Sequence, residues 1–230
     1  MFGFDTQNIV YEIILKVLAV PGIVLAFTFK GFAQALVSKW LGDPTPEAQG
    51  RLTMNPMAHI DWFGLLAMVV LGFGWHKPIP TNSRFYKHPR RDRAIYSISG
   101  PVALVLLSFV LTSLSVLFAY LAAGNQETGL GIFTIFRLIF MNASSYPLFL
   151  AAFYMLPLPG LDGYNLITSF TPYSWNEFLY KVERYSMFIF LGFIILMRIT
   201  NISSYLFLPA NLLYKFFEGV WMSVIGPFFG

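Results

Sequence analysis

The sequence predicts an all-α polytopic membrane protein with about five or six transmembrane helices, and three observations carry that expectation. Charged residues make up only 11% of the 230 positions, while 57% are hydrophobic. Soluble domains run near a quarter charged, so this chain lacks the residues to coat a globular surface. Apolar runs recur along the whole length, including 102–123 and 187–197 with their flanks, a pattern that a lone N-terminal signal segment does not produce. Cysteine is absent, which excludes disulfides and thiolate metal sites.

Taken in order, a first helix is expected over 9–40, with Pro21 as its kink point. Residues 41–60 contain Gly42-Asp43-Pro44 and Asn55-Pro56 and read as a loop or short strands. The apolar run 62–74 is too short to span comfortably and reads as a re-entrant or buried segment. After a basic loop over 75–93, residues 94–123 form a long spanning helix that breaks at Gly124 and Asn125. Residues 132–155 return across the membrane with Arg137 as their one charge. A proline- and glycine-rich break covers 156–163, a more polar stretch covers 168–184, and 185–199 and beyond spans again. The tail over 205–230 holds Lys215 and Glu218 and is either a further span or a helix lying in the interface. No internal repeat or second domain is visible. The chain reads as one membrane domain, 1–230, with a core over 9–170 and C-terminal helices over 185–230.

The net charge of +4 is concentrated in one place. Lys77, Arg84, Lys87, Arg90, Arg91 and Arg93 face a single nearby acid, Asp92. A short basic loop between apolar segments is a positive-inside signal, so loop 75–93 is expected in the cytoplasm and nucleic acid is not an expected partner. The loop over 124–131 has Glu127 and no Lys or Arg, and falls outside. With that orientation the break at 156–163 lies near the cytoplasmic side. Lys30, about 31 Å along the first helix, reaches a similar depth. Lys30 and Asp162 are therefore expected to meet.

Histidine is scarce: His59, His76 and His88 are the complete set, none is followed by Glu, and none has another His three or four residues away. A helical His-Glu-x-x-His zinc site is thus absent. His76 and His88 sit in the basic loop and are expected to be solvated. His59 and Asp61 form a His-x-Asp pair best read as supporting a loop through hydrogen bonds. Asp162, at the end of a membrane segment, has two readings: a functional carboxylate, or a cap on the helix that follows.

Several strings occur in a telling order. They are Leu41-Gly42-Asp43-Pro44-Thr45, Gly50-Arg51-Leu52-Thr53-Met54-Asn55-Pro56, His59-Ile60-Asp61 and Phe73-Gly74-Trp75-His76-Lys77-Pro78-Ile79-Pro80. Pro89-Arg90-Arg91-Asp92, Ser99-Gly100-Pro101 and Leu156-Pro157-Leu158-Pro159-Gly160-Leu161-Asp162-Gly163 complete the set. Together they resemble the middle of bacterial site-2 proteases, which are intramembrane zinc metalloendopeptidases. The resemblance covers roughly 27–163. It implies a three-helix core, zinc held inside the membrane near the cytoplasmic face, transmembrane segments as substrates, and a bacterial plasma membrane as the location.

The departures are as specific as the match. Where the family places H-E-x-x-H, this chain reads Lys30-Gly31-Phe32-Ala33-Gln34, so of the three expected protein ligands only Asp162 remains. Leu104 and Tyr154 stand where the family has asparagines near its active site. A protonated Lys has no lone pair for a metal, and Gly31 has no side chain to take a proton. The expectation is therefore no catalytic residue and no zinc, with the Lys30 ammonium in the metal's place, bridged to Asp162 and assisted by Gln34 one turn on. The alternative for Lys30 is snorkelling to the headgroups.

Functionally, the sequence reads as a catalytically inactive homologue whose partners are the lipid bilayer and a transmembrane segment, lipid or protein held without cleavage. The alternatives are an active metallopeptidase with a non-standard site, a motif altered to trap substrate, and a transporter or channel hinted at by Arg137 and Glu183. The first lacks a recognisable His, Asp and Glu set. The second does not need five coherent changes. The acceptor triplets at Asn142 and Asn201 lie in or beside apolar segments and carry no weight.

Overall fold

The computed structural model describes residues 6–71, 74–126, 129, 131–200 and 202–229. The Glu127 loop feature lies outside them. The helices in chain order are α1 (Thr6–Trp40), α2 (Thr45–Ala48), α3 (Trp62–Leu71), α4 (Pro89–Gly124) and α5 (Ile132–Tyr154). They continue as α6 (Asp162–Thr168), α7 (Asn176–Arg184), α8 (Ser186–Ile199), α9 (Ile202–Leu206) and α10 (Leu208–Ile225).

Three helices are long and apolar enough to cross a membrane: Ala19–Trp40 within α1, all of α4, and α5. The sequence suggested about five or six spans, but α8 is only about 21 Å long, and the 18-residue α10 carries Asn211, Lys215 and Glu218 and is not apolar enough to count as a further candidate. α3, about 15 Å long, is shorter still. α4 starts with Pro89 at its first position, where a missing N–H costs nothing. The buried Asp92 carboxylate anchors that start by accepting the His88 N–H at 2.9 Å and pairing with Arg91.

α4 and α5 pack most extensively on each other, α1 lies against both, and α10 covers their other side. Small residues let the backbones approach: a Cβ on Gly22 would lie 2.4 Å from the Ala143 Cα, so α1 and α5 cross nearly in backbone contact. Ala19, Ile23 and Phe27 of α1 join Leu104, Leu150 and Phe153 in the largest buried apolar cluster.

The expected short strands after the first helix are not formed; no strand occurs among the described residues. Pro44, Pro46 and Pro56 remove backbone donors there, and side chains organise the loop instead. Asp43 does most of it, accepting from Ser38 Oγ at 3.1 Å, Thr45 N–H at 3.0 Å and Asn82 N–H at 2.8 Å. The loop then meets the 74–80 segment through one backbone bond, Lys77 N–H to His59 C=O at 2.8 Å. That contact delivers both segments to the C-terminal half of α1.

Candidate functional site

Lys30 and Gln34 lie one turn apart on α1, so their side chains leave the same face. Both are 1% exposed. The Lys30 ammonium donates to Gln34 Oε1 at 3.0 Å and to His76 Nε2 at 2.7 Å. Its third neighbour is Asp162 Oδ2 at 2.8 Å, met as an ion pair rather than along a well-directed hydrogen bond. Three acceptor atoms thus face three N–H groups. The Tyr154 ring closes the remaining side, with the ammonium 3.9 Å from its centroid, where the ring quadrupole attracts a cation.

The surrounding groups fix this arrangement. Gln34 Nε2 donates to Asp162 Oδ1 at 2.9 Å, tying α1 to the start of α6. His76 Nδ1 donates to the Lys77 carbonyl at 2.8 Å, which leaves the Nε2 lone pair for Lys30. The His76 backbone N–H donates to Tyr154 Oη at 3.0 Å. From α4, a Cβ on Gly100 would lie 2.9 Å from Gln34 Nε2 and 3.1 Å from Lys30 Cε, so the α4 backbone presses directly on the cage. Leu104, one turn further, is fully buried.

The expected meeting of Lys30 and Asp162 is present in the geometry, and Lys30 does not snorkel. The Asp162 carboxylate does not cap α6; it turns to Lys30 and Gln34. His88 is exposed, as expected for the basic loop, but His76 is buried, contrary to the sequence expectation. Its ring packs edge-on to Phe27 and tilted over Tyr154 because the 74–80 segment folds back onto α1. One signal could have found it: a buried ammonium needs three acceptors, and Asp162 and Gln34 supply two. His59 and Asp61 do not converge. His59 Nε2 faces the Thr53 carbonyl at 2.8 Å, and Asp61 accepts the Gly64 N–H at 2.9 Å at the start of α3.

Gly31 is the position sequence reasoning underestimated. A Cβ there would lie 2.3 Å from His59 Nδ1, a buried nitrogen that has no hydrogen-bond partner. The imidazole of His59 occupies the space a side chain at 31 would need.

Burial, followed by the nearby Lys30 charge, holds the His76 pKa well below its ordinary 6.5, and burial also lowers that of His59. Both are neutral in the fold and take up protons on unfolding, so stability is complete above about pH 6.5 and falls as pH drops through the range below it. Each contributes up to about 1.4 kcal/mol per pH unit in that range. Unfolding measured from pH 7.5 to 5 is expected to show this slope, and His76→Gln is expected to flatten it. An unchanged slope counts against a neutral His76.

The fold and cage define a helical protein with three helices long and apolar enough to cross a membrane, and with a charged group enclosed where four helices and a folded-back loop meet. A "Putative zinc metalloprotease YwhC" of Bacillus subtilis (strain 168) is 38% identical over 199 residues, which span 86% of this chain and 88% of that protein. The chain belongs to that protein's family, and both the relative's name and the ordered motifs support a site-2-protease-like family. No family model matches the chain, and no solved structure matches it.

The residues do not fit the metal that name implies. Zinc needs three or four lone-pair donors at about 2.0–2.3 Å. Here the point facing Asp162, His76 and Gln34 is taken by an amine of the chain itself, with acceptors at 2.7–3.0 Å. No group of three His, Cys, Asp or Glu is placed for a metal among the described residues.

Proposed function

We propose that this chain is a catalytically inactive member of its family that binds a membrane-embedded ligand and does not cut it. The observation that carries the reading is the Lys30 ammonium, held by Asp162, His76 and Gln34 at the point those three groups face. With Gly31 next to it, no carboxylate lies on α1 between Ala19 and Trp40 to take a proton from water. What remains is a scaffold with grooves suited to a transmembrane segment or lipid. The bacterial relative and the exposed Lys77, Lys87, Arg90 and Arg91 support a plasma-membrane protein with loop 75–93 in the cytoplasm. α8 and α10, if flanked by locally thinned bilayer, would raise the number of spans towards five.

The test is metal content. Wild-type protein purified without chelator is expected to hold far less than one zinc per chain. Lys30→His with Gln34→His, leaving Gly31 untouched, offers two imidazoles beside Asp162 and is expected to take up about one. That variant still lacks the proton-accepting glutamate and is expected to cleave no transmembrane substrate. Stoichiometric zinc on the wild-type chain, lost in Asp162→Asn, would overturn the reading.

A further inference from the structure

Three cavities run into one another around the cage. The first, of about 540 Å³, is apolar and lies between Phe153, the 159–161 loop and Met187, Phe190 and Ile194 of α8. The second, of about 370 Å³, shares Trp75, Gly160 and Leu161 with it and reaches Lys30 and Asp162. The third, of about 230 Å³, shares Thr81, Tyr96 and Asn165 with the second and ends on Arg93. Polarity rises in one direction, from hydrocarbon side chains to hydroxyls, an amide and finally a guanidinium.

Arg93 is half-buried near the start of α4, at the edge of the apolar part of that helix. One of its N–H groups donates to Asn165 Oδ1 at 2.8 Å, and no carboxylate among the described residues pairs with it. A guanidinium has five N–H donors, so an arriving anion finds several. The one acid in the middle cavity, Asp162, is already held by Lys30. Asp43, Asp92 and Glu183 lie near enough to act on the tyrosines around this end, but none is within ion-pair distance of the Arg93 guanidinium, which keeps donors for an anion.

Width narrows the choice of occupant. A helix about 10 Å across fills about 120 Å³ per residue, so the 370 Å³ middle cavity holds about three helical residues. An acyl chain is far thinner than a helix and can follow the apolar cavity along α8 without unwinding anything. Its polar head then falls where the hydroxyls and Arg93 are.

We propose that this continuous groove binds one anionic phospholipid, with an acyl chain along α8 and the phosphate at Arg93. The proposal rests on the reading of the chain as a binding protein, because a cutting enzyme would need the same space for peptide. It makes Arg93 a headgroup-binding residue and Ala67, at the wall of the apolar cavity, a gate on chain entry.

The experiment is native mass spectrometry of full-length protein released from nanodiscs of phosphatidylglycerol and phosphatidylcholine with matched acyl chains. Wild type is expected to retain one phosphatidylglycerol in at least tenfold preference. Arg93→Gln keeps a donor for Asn165 but removes the charge, and is expected to abolish the preference. Arg93→Lys is expected to keep most of it, and this controls for folding. Ala67→Trp fills the apolar cavity and is expected to lower retention of both lipids at least tenfold. A benzoylphenylalanine at position 190 is expected to crosslink to lipid. Equal retention of the two lipids by wild type, a preference unchanged in Arg93→Gln, or crosslinks only to an added transmembrane peptide would overturn the proposal. Zinc content measured on the same preparation separates the two readings. Zinc-free protein without a lipid preference sinks this proposal alone, and zinc-loaded protein sinks the inactive-homologue reading.

Discussion

Lys30→Met is expected to destabilise the protein by about 3–5 kcal/mol, the usual cost of leaving one partner of a buried charge pair behind. The substitution keeps most of the side-chain volume, so the loss is electrostatic and not a cavity effect. It strands the Asp162 carboxylate against the Tyr154 ring face and the His76 lone pair, with Gln34 Nε2 as its remaining donor. The double variant Lys30→Met with Asp162→Asn removes both charges and keeps an amide beside Gln34. It is expected to recover more than half the loss, since replacing a whole buried pair costs much less than breaking it. Reversible unfolding in mixed micelles, followed by tryptophan fluorescence, measures both. A single variant costing under about 1 kcal/mol, in the range of an exposed pair, would mean that Lys30 and Asp162 are not a buried pair.

Gly31→Glu is the second large effect and runs against intuition, because it introduces the residue type that the site-2 protease resemblance implies at this position. Its Cβ would lie 2.3 Å from His59 Nδ1, so the imidazole must be displaced from a site where it is fully buried. Overpacking of this kind costs about 1–3 kcal/mol, and an added buried carboxylate without a partner costs several more. The variant is expected to fail to accumulate as a monodisperse protein. His59→Ala in the same chain opens the space and is expected to return folded material, measured by size-exclusion yield. If Gly31→Glu alone folds at wild-type yield, His59 does not fill that space. Restoring an ancestral-looking motif here therefore means rebuilding the loop at His59 as well as the helix.

Much of the spanning architecture was legible because hydrophobicity is a local property. The α4 and α5 segments stand out as apolar runs between turn residues, and their structural bounds differ from the sequence reading by only a few residues at most ends. The strands were misjudged because a polar, turn-rich segment can satisfy its backbone in two ways. Asp43, with bonds to Ser38 of α1, to Thr45 and to Asn82 of the basic loop, decided for side-chain anchoring. The α8 segment reads as a span from composition, but Tyr185 and Thr200 bound it at 14 residues. At the site, Lys30 and Asp162 were legible through depth, and Gln34 through the family resemblance and its place one turn on. His76 was not, because its neighbours in sequence are basic and its burial depends on a fold-back visible only in three dimensions. The same holds for His59 against Gly31: a glycine in a sequence shows what is missing, not what has moved in.

The three-acceptor cage has a consequence for how its charge is supplied. A metal ion exchanges with solution, and its occupancy follows the cell's free zinc and any competing ligands. The Lys30 ammonium is made with the chain, one per molecule, and cannot dissociate. The cross-link it provides between α1, the 74–80 segment and α6 is therefore set at translation and does not vary with metal nutrition. A protein built this way can keep the same shape through zinc starvation and zinc excess alike.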